Sequence, residues 1–410
     1  MSLVFTESWM SHAIGSYSVA SAVTATPGTE LTSAVWISTY NALDWRFFIR
    51  GNNATNGLFQ VALVQDPIEA SKQRAFLRSY NLSSTTYWSN GFMATVRSMP
   101  TKYMYGCLIR LQSATKAGVV SLNGYGAGAG LGTSSSATTS AAHGSCIIFS
   151  KADAVDTNTW TIGSYASGSL VSYGTISLSS DVDYFMECEV DTANDTFRMW
   201  IDDLLIIDSA MTTAFAALMT SGLVWYVGLT TGSGTAGSAY GIGIYLSDMY
   251  LLSMSDTVAP YTRLGKTTRV KGEVPASDYS VQMALPDGFT NHYDVVDDQI
   301  ASATYSPTAY LTAETAGTRD LFGSGSDATS YASAVHGVVI KSVSANFGET
   351  SHVIGGVMSD GTTEAVVNAA TLTAASGWDA IFSVHPTAPD GSTWSPAKVA
   401  AAKFGVELVS

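Results

Sequence analysis

The chain has 410 residues, a formal net charge of −14 and a sequence pI of about 4.7, with 46% hydrophobic and only 13% charged residues. That balance excludes a disordered chain, and the acidity leaves no cationic footprint for nucleic acid or for insertion at an anionic membrane surface. The length makes two domains the natural expectation.

In chain order, MSLVFTESWM lacks the basic start and long apolar run of a secretion signal and reads as a first strand beginning at once. Strand-like runs follow at residues 3–6, 45–50, 58–64, 75–80, 103–111, 119–122, 146–149, 160–164, 171–178, 223–229, 240–246 and 249–254. Short strands divided by Gly, Asn and Ser clusters predict an all-β sandwich or barrel. Within this first part of the chain helical spacing is nearly absent, with 68–73 and 214–220 as the exceptions, and the Gly/Ala/Ser/Thr tract 124–142 reads as a mobile loop or glycine-rich edge, with a contact surface as the sharper alternative. No run reaches the ~18 apolar residues of a membrane-spanning helix. Cys107, Cys146 and Cys188 are widely spaced in apolar runs and read as buried free thiols rather than a disulfide framework.

Residues 184–208 are the most informative. Tyr184, Met186, Cys188 and Val190 alternate with Phe185, Glu187, Glu189 and Asp191, which gives one apolar and one acidic face. Thr192 to Asp195 supplies a turn, and Phe197, Met199 and Ile201 then share a face opposite Arg198, Trp200 and Asp202. Asp202-Asp203 turns the chain into a third strand at 204–207. This meander resembles that of concanavalin- or laminin-G-like jelly rolls.

Beyond Ala259-Pro260 the composition shifts, and Arg263, Lys266, Arg269 and Lys271 concentrate positive charge in an acidic chain. They read as a solvated linker or, more sharply, as a docking strip for an acidic neighbour, another copy of the chain included. The remainder is expected to be a smaller β-rich module. Strands are predicted at 335–343 and 381–384, with a hairpin of 352–358 and 363–368 around Asp360-Gly361. Ser395 is a suitable N-cap with Pro396 at the first helical position, so 397–404 reads as a helix stopped by Gly405, followed by a strand at 406–409.

Candidate chemistry is sparse. Glu187 and Glu189 could serve glycoside hydrolysis as a pair, but the ExDxxE-type spacing of concanavalin-like glycanases is missing, and with Asp191 they read as a solvated acidic face. Asp202, Asp203 and Asp248 are candidate calcium ligands, with a turn role for the first two as the plainer reading. GSGTAG at 232–237 precedes a strand rather than a helix, so it is a hairpin loop and not a phosphate cradle. The six histidines are scattered, and no cofactor is implied. Trp9, Trp36, Trp88 and Trp394, beside loops, read as packing residues with sugar stacking as the alternative.

Five stretches carry a wider resemblance. YLSDMYLLSM at 245–254 with RLGKTTRV at 263–270, YDVVDD at 293–298, AETAGTRDL at 313–321 and WSPAKVAAAKFGVELVS at 394–410 resemble, in that order, tailed-bacteriophage virion proteins with a laminin-G-like jelly roll. The turn Asp202-Asp203 stands where that family often has Asp-Gly. The resemblance implies a concanavalin/laminin-G-like jelly roll over 1–258, a junction at 259–275 and a β-rich module with a short late helix over 276–410. It implies a non-enzymatic structural protein, a tail or head fibre, spike or capsid decoration. Such a protein would be made in the host cytoplasm, released by lysis and assembled with other virion proteins as a homo-oligomer, with a host-surface glycan as a further partner. A lectin-like glycan-binding module is the alternative, and a glycoside hydrolase or depolymerase comes third.

Overall fold

The computed structural model describes the backbone of residues 2–7, 15–21, 45–51, 57–65, 73–81, 88–96, 101–111, 118–124, 146–151, 159–166, 169–211, 223–231, 240–254, 263–297, 309–325, 327–375 and 378–410, with side chains chiefly in 101–111, 172–211, 244–254 and the later stretches. The chain is all-β and forms two compact units. The sandwich unit comprises Ile14–Tyr40 and Trp45–Val270; the C-terminal unit comprises Met1–Ala13, Asn41–Asp44 and Lys271–Ser410. The division falls inside the 259–275 stretch. The expected helical stretches at 68–73 (but for Gln73, which opens a strand) and 214–220, nearly all of the 124–142 tract, the 232–237 loop, and the side chains of Cys146, Trp9, Trp36 and Trp88 lie outside the described residues.

The C-terminal unit includes β1 (Ser2–Glu7). The sandwich unit contains β2 (Gly15–Ser21), β3 (Trp45–Gly51), β4 (Gly57–Gln65), β5 (Gln73–Asn81), β6 (Trp88–Val96), β7 (Lys102–Leu111), β8 (Gly118–Gly124), β9 (Cys146–Lys151), β10 (Thr159–Ala166), β11 (Ser169–Ser177), β12 (Asp183–Asp191), β13 (Thr196–Ile201), β14 (Leu204–Ala210), β15 (Leu223–Thr231) and β16 (Tyr240–Ser253). Its first sheet runs β14-β13-β12-β7-β16-β5-β4-β2 and its second β11-β10-β9-β8-β15-β6-β3, with antiparallel pairing throughout. Two such sheets face to face make the jelly-roll sandwich.

The meander is β12-β13-β14, and its turns fall on Asp195 (φ 52°) and on Asp202 and Asp203 (φ 50° and 73°). Asp tolerates that left-handed backbone better than most residues. Met186, Cys188 and Val190 pair across the ladder with Ile201, Met199 and Phe197, and all six are buried. This face packs on the second sheet, where the ring of Phe197 lies 5.5 Å from that of Tyr173 on β11. Burial raises the pKa of Cys107 and Cys188, so these free thiols stay protonated in the core. The runs at 240–246 and 249–254 prove to be one strand, β16, with a bulge at Ser247/Tyr250 and Asp248 at φ 50°. Strands β2 and β6 escape the sequence reading, because Gly, Ser and Asn interrupt their apolar pattern.

The rest of the C-terminal unit holds β17 (Pro275–Val281), α1 (Tyr293–Val296), β18 (Arg319–Ser324), a 3-10 turn (Ala328–Ser330), β19 (Val338–Ser344), β20 (His352–Ser359), β21 (Glu364–Leu372), β22 (Asp379–His385), α2 (Pro396–Ala401) and β23 (Lys403–Leu408). One sheet runs β17-β18-β23-β20-β21, and β19 pairs with β22. Between them Met358, Ala388, Trp394 and Ala402 form a core with Val338, Ile340 and Phe404. Trp394 is thus a packing residue, its Nε1 donating to the His385 carbonyl at 2.9 Å. The hairpin turns at Asp360-Gly361, where Gly361 takes φ 92° and Asp360 Oδ1 accepts the N–H groups of Thr362 and Thr363.

Helix α2 corrects one expectation. Ser395 caps it, its Oγ accepting the N–H of Lys398, and Pro396 is its first residue, but it ends at Ala401. Gly405 does not stop a helix. It sits inside β23, where any Cβ would strike the Asp320 carbonyl of β18, so the glycine serves close strand approach.

Candidate functional site

The acidic face of β12 is not solvated. Glu187, Glu189 and Asp191 are 1%, 7% and 5% exposed, which corrects the reading from alternation alone. Register places Glu187 between Gly106 on β7 and Trp200 on β13, and Gly106 in turn lies opposite Tyr250 on β16. A side chain at 106 would collide with the Tyr250 ring; the glycine lets that ring lie across β7 and donate its hydroxyl to Glu187 Oε1 at 2.5 Å. Burial first, then the Glu187 charge and hydrogen bond, push the Tyr250 pKa up, so it remains a donor.

Residues 263–270 lie along this face as a strap. Arg263 Nη1 donates to Glu187 Oε2 at 2.7 Å and to Asp203 Oδ1 at 3.2 Å, and its guanidinium stands 5.0 Å from the Trp200 ring. Gly265 N–H donates to Glu187 Oε1 at 3.0 Å and Lys266 N–H to Asp203 Oδ1 at 3.2 Å. At the far end, Val270 N–H donates to Asp248 Oδ1 at 2.8 Å, with Arg269 Nε 3.8 Å from Asp248 Oδ2. Arg269 also braces the strap on itself through the carbonyls of Lys266 and Thr268. Glu189 is met by Lys102 and Arg198, each at 3.3 Å. At Asp191 burial works to raise the pKa, but hydrogen bonds from Asn194, with Lys102, outweigh it and hold the pKa low.

The sequence candidates therefore meet one another. Arg263 and Arg269, read with Lys266 as a strip for an acidic neighbour, face acidic groups of their own unit, whereas Lys266 offers only its backbone N–H and its side chain is exposed. Lys271 belongs to the C-terminal unit, its Nζ 4.1 Å from the Tyr331 ring centre. Of the calcium candidates, Asp202 accepts the Phe185 N–H at 2.8 Å, while Asp203 and Asp248 hold opposite ends of the strap. Among the described residues no group of three or more His, Cys, Asp and Glu side chains is placed to hold a metal ion. Tyr250, Trp200 and Gly265 were not foreseen; the one available signal was the basic run itself.

The C-terminal unit presents the opposite kind of surface. Tyr279, Tyr310, Tyr331 and Phe347 are 52%, 41%, 46% and 66% exposed.

No family model and no curated protein matches the chain. Among solved structures, a GH131 β-glucanase catalytic domain from Podospora anserina is similar at 15% identity and TM-score 0.34, over 48% of this chain and 81% of that one. The Lotus tetragonolobus seed lectin is similar at 9% identity and TM-score 0.31, over 48% and 93%. A sialidase is similar at 10% identity and TM-score 0.29, over 54% of this chain but only 18% of its own. Scores this low carry no inference about activity or ligand, and nothing in these likenesses links the chain to a bacteriophage virion.

Proposed function

We propose that the chain is a non-catalytic, lectin-like binding protein for neutral glycans. The carrying observation is the fate of the outer-face carboxylates. Hydrolysis of a glycosidic bond needs one carboxyl group free to give up a proton and a second facing the sugar. Glu187 is instead consumed by Arg263, Tyr250 and Gly265, and Glu189 by Lys102 and Arg198. Among the described residues, the C-terminal unit offers recognition surface, where exposed rings suit the C–H faces of sugars. A chain of net charge −14 repels anionic sugars, which selects the neutral class.

The test is a glycan array read alongside reducing-end release. Neutral glycans should bind, with little salt dependence, and no glycan should be cleaved. Release of reducing ends, or binding confined to anionic sugars, would overturn the reading. Virion display is a second reading, favoured by the ordered resemblance at 245–270, 293–298, 313–321 and 394–410. The two are compatible, since an adhesin binds a surface glycan. Self-association belongs to that second reading, and light scattering showing only monomer would count against it.

A further inference from the structure

We propose that Tyr310, Phe347 and Trp378 form the sugar-contact site, taking the C–H face of a neutral pyranose; this rests on the glycan-binding reading above. The three rings cluster with centroids 5.5–6.1 Å apart. Trp378 meets Tyr310 at 67° and Phe347 at 80°, so the rings brace one another edge to face without being stacked flat together.

Phe347 is the decisive residue. It is 66% exposed, the most of any large aromatic side chain described, yet the loop carrying it is held by the hydrogen bonds of a buried asparagine. Asn346, 5% exposed, donates through Nδ2 to the carbonyls of Thr350, Leu372 and Thr373 at 2.7, 3.3 and 3.2 Å. Its Oδ1 accepts the Gly348 N–H at 2.9 Å, and Ala375 N–H donates to the Gly348 carbonyl at 3.0 Å. Phe347 is thus flanked on both sides by residues tied to the stretch after β21, which leads on to Trp378. An apolar ring fixed in water forgoes the gain of burial, and fixing it removes the ordering cost of binding beforehand. The electronegative ring face complements the electropositive C–H face of a pyranose, and the trio carries no charge to favour an ionic sugar.

The test uses the full chain, with gluco- and manno-oligosaccharides as neutral probes and alginate oligosaccharides as the anionic control, followed by titration calorimetry. Phe347→Ala should lose roughly tenfold or more in affinity for the neutral probe while its melting temperature holds. Asn346→Ala should weaken binding less. Tyr310→Ala, at a 41% exposed position, gives a second variant should Trp378→Ala lose its fold. If the wild type binds neutral sugar and Phe347→Ala and Tyr310→Ala bind it equally well, the site is wrong and the glycan reading stands. If the wild type binds none of the neutral probes, both fall. If Phe347→Ala instead abolishes self-association seen by light scattering and leaves sugar binding intact, the trio is a protein contact and the proposal is overturned.

Discussion

The outer face of the first sheet and the aromatic surface of the C-terminal unit handle unfavourable groups in opposite ways. The first takes carboxylates that alternation would place in water, buries them and satisfies them from within the same unit, Glu187 and Asp248 from the strap and Glu189 and Asp191 from Lys102, Arg198 and Asn194. The second leaves aromatic rings exposed to water and braces the loop that carries one of them with a buried asparagine. Satisfied charge marks a face that is finished as scaffold; a restrained exposed ring marks a face that still lacks a neighbour.

The largest effect is expected at Arg263. Arg263→Ala leaves Glu187 buried with only Tyr250 and Gly265 as described partners, and should cost about 2–4 kcal/mol in denaturant unfolding, somewhat discounted because Arg263 is 25% exposed. A loss within error would mean the strap is not what stabilises the carboxylate.

The C-terminal unit also buries a titratable group, but a neutral one. His385 is 2% exposed, its Nε2 lacks a hydrogen-bond partner, and burial lowers its pKa from 6.5 to about 4. The unfolded chain binds a proton below pH ~6.5 that the folded chain refuses until about 4. Its contribution is therefore complete above about 6.5 and lost as pH falls towards 4, with an amplitude of about 3 kcal/mol. Stability measured between those pH values should fall for the wild type and fall less for His385→Phe; identical slopes would contradict the assignment.

The smallest effect is expected at Lys266. It contributes its backbone N–H to Asp203, and its side chain is exposed, so Lys266→Ala should shift stability by less than about 0.5 kcal/mol. A larger loss would show that the strap is held by its side-chain charges generally rather than by Arg263 and its backbone.

Much of the sandwich was legible locally. Alternation in 184–191 assigned the correct residues to the inner face, and the two Asp turns were read from residue type. What alternation could not supply was the cover on the other face. Arg263 lies 76 positions from Glu187, and Gly265 lies 78, so a solvated acidic edge and a strapped one have the same local pattern. The same limit applies to Gly405, whose local setting suggests a helix stop, while its reason is the β18 backbone far back in sequence. Ser395 and Pro396 were readable because capping is local. Tyr310, Phe347 and Trp378 share no local pattern, and only the fold brings them together.

The most direct measurement sets Glu187→Gln beside Phe347→Ala, each followed by thermal unfolding and by calorimetric titration with neutral oligosaccharides. A clean crossing is expected: Glu187→Gln loses stability by about 1–3 kcal/mol and keeps the wild-type affinity, while Phe347→Ala keeps stability and loses affinity. Loss of sugar binding in Glu187→Gln with affinity intact in Phe347→Ala would place recognition on the sandwich face and contradict it.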